Sequence, residues 1–195
     1  MMKKPAADTR QHILDVARSL MTVKGYTAVG LGELLSQAGV PKGSFYHYFR
    51  SKEEFGEALL HAYFSKYLTR VDALMAADGT GAERIVGYFQ YWARTQGTDV
   101  LEGKCLVVKL GSEVCDLSED MRAVLDTGTQ AIVKRIASTV AEGQADGSIK
   151  SKADARELGE SLYQIWLGAS LMAKLGKSEV PFANALGTTR HLLTH

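Results

Sequence analysis

The stretch Leu31–Arg50 constrains this chain more than any other. Leu31, Leu34, Leu35 and Ala38 fall at the i, i+3, i+4, i+7 spacing of one helix face. Gly39 follows where a helix end favours a residue tolerant of positive φ, and Pro41 stands where the next helix can begin without a backbone donor. The spacing predicts a second helix over roughly Lys42 to Tyr48, too short and too polar to hold by itself. If Val40, Phe45 and Phe49 turn inward, Lys42, Ser44, His47 and Tyr48 point outward, with Tyr46 at the edge. An ordinary helical hairpin in a bundle has the same spacing. Crowding Tyr46, His47 and Tyr48 on one outward face favours a reader of DNA instead. Short donors at the front of a helix reach base edges in the major groove, and tyrosine hydroxyls bond phosphates.

The run from Gly39 to Glu53 closely resembles the helix-turn-helix signature of TetR-family repressors. That signature has a glycine at the turn, then Gly43-Ser44-Phe45-Tyr46 in the recognition helix, a further aromatic, and Lys52 opening the next helix. The resemblance implies Lys42 and Ser44 as base readers with Gly43 between them, and Phe45 and Phe49 as core. It implies Tyr46, His47, Tyr48 and Lys52 as phosphate contacts. Thr27, just before the helix pair, matches a position that often bonds phosphate. The expected partner is therefore a double-stranded DNA operator.

Charge agrees in a modest way. Net charge is +1 overall, but residues 1–70 hold ten Lys/Arg against six Asp/Glu and residues 71–195 thirteen against sixteen. The halves are thus +4 and −3, a basic front end on a slightly acidic body. No run of 18 apolar residues and no cleavable leader pattern is present, so a cytoplasmic chain without a membrane partner is the expectation.

Everything downstream reads as helix, so the expected fold is all-α. A three-helix DNA-binding unit spans residues 1–50, and a larger helical regulatory and dimerisation domain spans 51–195. Asp8 with Gln11 predicts a capping box for the first helix, whose stripe is Ile13, Leu14, Ala17, Leu20 and Met21. The tail before it carries Lys3 and Lys4. Ser51 with Glu54 predicts another capping box, opening a connector helix over 52–77, a rod of roughly 35 Å. Further helices are expected over Ala82–Gln96, Lys104–Val114, from Ser118 to Gly147, from Ser151 to Lys174, and over Phe182–Leu193, with a loop at Gly97–Gly103.

The helix expected from Ser151 carries two apolar stripes. One is Leu158, Leu162, Ile165, Ala169, Met172; the other runs through Tyr163, Leu167 and Ser170 to Lys174. Such a helix is covered on both sides. A fully internal helix in a monomer meets that demand, and so does a two-fold homodimer in which Gly159, Gly168 and Ala169 allow close approach. TetR-type repressors work as dimers, and dimers of this kind read half-sites about 34–36 Å apart or a multiple of it.

Cys105 and Cys115 are the two cysteines. A buried cysteine acting as a small apolar residue is one reading, for Cys115 especially. Cys105 begins a predicted helix beside Lys104, where the helix dipole and an ammonium lower a thiol's pKa. Ten residues of straight helix would hold the two sulfurs ~15 Å apart, beyond the ~7 Å reach of a disulfide, unless the helix breaks at Gly111. Without a C-x-x-C or a His/Cys cluster, neither metal nor cofactor is expected.

The run Gly103–Met121 and the later Trp166–Lys174 are similar to a branch of the TetR family that responds to N-ethylmaleimide-type electrophiles. This resemblance implies a sensor of electrophiles or oxidants, with Cys105 reactive and Lys174 its neighbour. A ligand held among Tyr88, Trp92, Cys105, Tyr163 and Trp166 would shift the spacing of two reading heads by a coupling of ~1–3 kcal/mol. Two alternatives stand beside it: a TetR-type repressor induced by a non-covalent apolar ligand, and a cysteine-dependent enzyme. The enzyme would need a nucleophile and base held by a third group, and no histidine falls in a motif with a cysteine.

Overall fold

A computed structural model describes residues 6–97 and 104–195. The basic tail with Lys3 and Lys4, and the loop segment 98–103, lie outside the described residues. Among those described there are nine α-helices and no strand, so the all-α expectation holds. None of the helices is long and apolar enough to cross a membrane. By compactness the chain forms two units. One takes residues up to Ser65 together with Lys109–Gly128; the other takes Lys66–Val108 and Thr129–His195.

The first unit begins with α1 (Ala6–Lys24), α2 (Leu31–Ala38) and α3 (Lys42–Tyr48). Gly39 ends α2 at φ 63°, the left-handed turn that lets the Gly39 and Val40 amides bond back to Ser36 and Leu35. Pro41 caps α3 in extended backbone. Phe45, Phe49 and Phe55 form a triangle of rings with centroids 5.1–5.3 Å apart, each 1% exposed. This cluster seats a seven-residue helix that propensity alone would not sustain. The ring nitrogen of His12 bonds the last carbonyl of α2, at Ala38, across 3.0 Å, and the Arg10 guanidinium lies 5.1 Å over the Phe49 ring.

The predicted cap of α1 is corrected. The helix already runs at Ala6, so Asp8 sits inside the first turn, and Gln11 donates to Asp15 instead. The second capping box is present: the Glu54 N–H donates to Ser51 Oγ at 3.1 Å, and the Glu54 carboxylate accepts from the Arg50 N–H at 2.8 Å. It opens α4 (Lys52–Met75), which stops two residues short of the predicted end.

The second unit contains α5 (Gly81–Gly97), the packed pair α8 (Ala155–Gly176) and α9 (Val180–Thr194), and the later part of α7 (Glu119–Asp146). α5 packs on both α8 and α9. α8 starts later than the sequence suggests. Its cap is Asp154, which accepts from the Arg156 and Glu157 amides, rather than Ser151. Gly159 is one of the small residues that would permit close approach of a second chain. It packs against α7 of its own chain, where an added Cβ would stand 3.1 Å from the Ala137 nitrogen. Gly168, by contrast, opens to empty space.

Candidate nucleic-acid interface and thiol site

α3 presents Lys42, Gly43, Tyr46 and His47 outward, with Tyr46 52% exposed. Ser44 and Tyr48 are half-buried. The Ser44 amide is taken by the Pro41 carbonyl at 2.9 Å, and Tyr48 packs edge-on to His47 at 4.9 Å. Tyr48 therefore stands at the edge and Tyr46 on the face, an exchange of the two predicted positions. Nothing in the protein demands a glycine at 43, because a Cβ there would meet open space.

Thr27 and Lys52 gather around Tyr26. The Tyr26 hydroxyl donates to the Lys52 carbonyl at 2.6 Å, and the Lys52 ammonium lies 4.9 Å over the Tyr26 ring. Burial, with Glu53 nearby, pushes the Tyr26 phenol upward, so it stays a donor. Thr27 is exposed, yet its hydroxyl and amide both donate to Glu113 Oε1, the amide at 2.5 Å. Glu113 lies on α6 (Leu106–Cys115), 86 residues away in sequence. It escaped sequence reasoning because no periodicity or motif links residues so far apart.

Cys105 is 2% exposed and immediately precedes α6, which begins at Leu106 rather than Lys104. α6 runs unbroken through Gly111, so the break that a bridge to Cys115 would need is absent, and neither cysteine is in a disulfide. Cys115 is exposed at the helix end rather than buried. Burial, the largest effect, holds the Tyr88 and Tyr163 phenols well above their usual range, and Cys105 lies near both. Lys174 is exposed in the last turn of α8.

The remaining aromatics of the predicted ligand set are brought together in the interior, where the Tyr163 hydroxyl is buried without a hydrogen-bond partner among the described residues. Trp92 meets Tyr163 edge-on at 5.7 Å and Tyr88 at 6.1 Å. Trp166 stacks on Phe89 at 4.8 Å and Phe182 at 6.1 Å. Both indole nitrogens donate to buried hydroxyls: Trp92 to Ser170 at 2.8 Å and Trp166 to Thr189 at 2.9 Å. The described residues hold no cluster of His, Cys, Asp and Glu suited to a metal ion.

Residues 13–62 match the family model described as bacterial regulatory proteins, tetR family, and residues 81–189 match that of the tetracyclin repressor-like C-terminal domain. The HTH-type transcriptional repressor NemR of Escherichia coli strain K12 is 38% identical over 99% of this chain and 98% of its own length. The transcriptional regulator AcuR of Cereibacter sphaeroides is 35% identical over 97% of this chain and 87% of its own. The crystal structure of E. coli NemR in its reduced form superimposes with a TM-score of 0.91, covering 96% of this chain and 97% of that one. A seated helix-turn-helix, an all-helical body and matches to both domains agree: the chain belongs to the TetR family of bacterial transcriptional regulators.

Proposed function

We propose that this chain is a cytoplasmic repressor that grips a roughly palindromic operator as a homodimer and lets go when a reactive electrophile or oxidant modifies Cys105. In this reading residues 1–50 read DNA and residues 51–195 sense and dimerise. The observation that carries the DNA half is the outward row Lys42, Gly43, Tyr46 and His47, seated from behind by Phe45 and Phe49. An unhindered Gly43 lets the α3 backbone approach a groove closely. Lys42 and Ser44 serve as base readers, while Thr27, Tyr46, His47, Tyr48 and Lys52 hold phosphates. NemR, at 38% identity, is named a repressor, which supports the direction of control.

Dimerisation is supported by an apolar patch on α8 and α9. Leu171, Met172, Leu175 and Val180 are 52%, 57%, 69% and 62% exposed, and Gly168 on α8 leaves room for a close neighbour. Patches of this kind mark interaction surfaces. Sedimentation at micromolar concentration should return a dimer.

For the sensing half, Cys105 heads α6 beside Lys104, a setting that favours the thiolate; Lys174 supplies a second ammonium. Cys105 is 2% exposed, so the reagent expected to reach it is small and uncharged. The same burial favours a second reading, in which the sulfur is an apolar filler and the inducer is a non-covalent apolar ligand. Gel mobility shifts on DNA upstream of the coding region separate the two. N-ethylmaleimide should release the wild-type chain and leave Cys105→Ser bound. If Cys105→Ser is released equally, the thiol reading falls and the repressor reading stands.

A further inference from the structure

Three donors from one turn converge on a single carboxylate. The Tyr26 amide donates to Glu113 Oε2 at 3.1 Å, the Thr27 amide donates to Oε1 at 2.5 Å, and the Thr27 hydroxyl donates to the same Oε1. Gly25, at φ 97°, turns the two successive amides the same way, the backbone arrangement that makes a concave anion cradle. A Cβ at Gly25 would stand 2.9 Å from Glu113 Oε2, so the left-handed turn and the seated carboxylate both call for glycine. Tyr26 is buried and pinned to the start of α4 through its hydroxyl, which fixes the cradle on the reading head. Thr27 is on the surface.

Two amides and a hydroxyl around one anionic group are also the donor set that a DNA phosphate takes from a protein. We infer that Glu113 is an internal competitor for DNA, its carboxylate holding the Tyr26–Thr27 cradle that a backbone phosphate enters on duplex binding. A carboxylate and a phosphodiester each present one negative charge spread over two acceptor oxygens to these donors. They cannot both occupy them, so binding requires Glu113 to withdraw. Partial burial disfavours its charge, but the donors from Thr27 and Tyr26, with Lys109 nearby, hold the Glu113 carboxyl below the usual range, so the competitor is ionised at neutral pH. The opposite role, a clamp that holds the reading head ready for DNA, fits the same contacts and predicts the opposite sign.

The inference rests on the chain being a duplex binder and is independent of what Cys105 does. Its test therefore uses the full chain and a mixed-sequence duplex at low salt, where phosphate contacts dominate whatever the operator. Anisotropy titration should show Glu113→Gln binding roughly three- to tenfold tighter than wild type, the span of one or two surface hydrogen bonds. Glu113→Asp, which keeps the charge on a stem too short to fill the cradle, should gain similarly, so the effect is not simple loss of repulsion. Adding Thr27→Val should erase both gains. Weaker or unchanged binding by Glu113→Gln and Glu113→Asp would overturn the inference in favour of the clamp. A gain that survives Thr27→Val would overturn it in favour of a diffuse charge effect. If wild type binds no duplex at all, the repressor reading itself fails, and this inference with it.

Discussion

The outer face of α3 and the interior between α5, α8 and α9 are built from similar side chains put to opposite ends. On α3 the aromatic and basic groups stand outward: among the described residues, the side chains of Lys42, Tyr46 and His47 make no hydrogen bond to the rest of the protein, and Tyr46 is 52% exposed. In the interior, Trp92, Trp166, Tyr88 and Tyr163 are each 0–2% exposed, and both indole N–H groups are matched to a hydroxyl. Aromatic residues with unspent polar tips point to a partner; aromatic residues with spent ones point to packing. By that criterion the two tryptophans are packing, whereas Tyr163, whose buried hydroxyl has no hydrogen-bond partner among the described residues, does not meet it.

The sharpest way to break the comparison is to truncate one member of each set. Trp166→Ala should cost ~3–5 kcal/mol of stability, as large aromatic truncations in close-packed cores do. It removes stacking on Phe89 and Phe182 and leaves Thr189 Oγ without its indole donor. Urea unfolding at fixed protein concentration would read it. A loss under ~1 kcal/mol would mean that the pocket is loose, and would restore the aromatic set as a ligand wall.

On α3 the consequences reverse. Lys42→Ala should leave stability within ~0.5 kcal/mol, as exposed substitutions do. Specific operator binding should fall by roughly 5- to 150-fold, while binding to mixed-sequence duplex changes little, the mark of a base reader rather than a phosphate contact. Equal loss on both duplexes would move Lys42 to the phosphate set.

How much of this could be read from the chain follows from the range over which each interaction acts. The α2–α3 turn was legible because Gly39, Pro41 and the Phe45/Phe49 pair act within a few residues of one another. Helix starts were less so. Ser51 and Glu54 do cap α4, but α1 begins ahead of Asp8, and Asp154 rather than Ser151 caps α8. At α8 two residues able to cap, Ser151 and Asp154, lie within one turn, and the helix starts from the second. Gly159 shows the same limit in packing: a small residue announces close approach without saying to what, and the neighbour is Ala137 of α7. The Glu113 contact was out of reach, since its donors lie 86 and 87 residues away.

Exposure alone does not separate the two kinds of surface, and Asp146 provides the smallest and most instructive test. It is as open to solvent as the α3 side chains, yet both carboxylate oxygens are engaged. Oδ2 accepts from the Gly81 amide at 2.9 Å, satisfying a free donor at the start of α5, and Oδ1 accepts from the Ser148 amide at 2.8 Å. The bond from Gly81 first, then those from Ser148, hold its carboxyl below the usual range. A carboxyl lowered by folding adds stability above its unfolded value of about 3.9, and that share disappears as pH falls through the folded value. The thermal midpoint should therefore decline on acidification from about pH 5 to pH 3, and Asp146→Asn should flatten part of that decline while lowering the midpoint slightly at neutral pH. DNA binding should be indifferent to it. A pH profile identical in wild type and Asp146→Asn would show that an exposed carboxylate with two amide partners contributes no more than a bare one, and engagement of polar tips would then lose its value as the criterion separating structural from partner-facing residues.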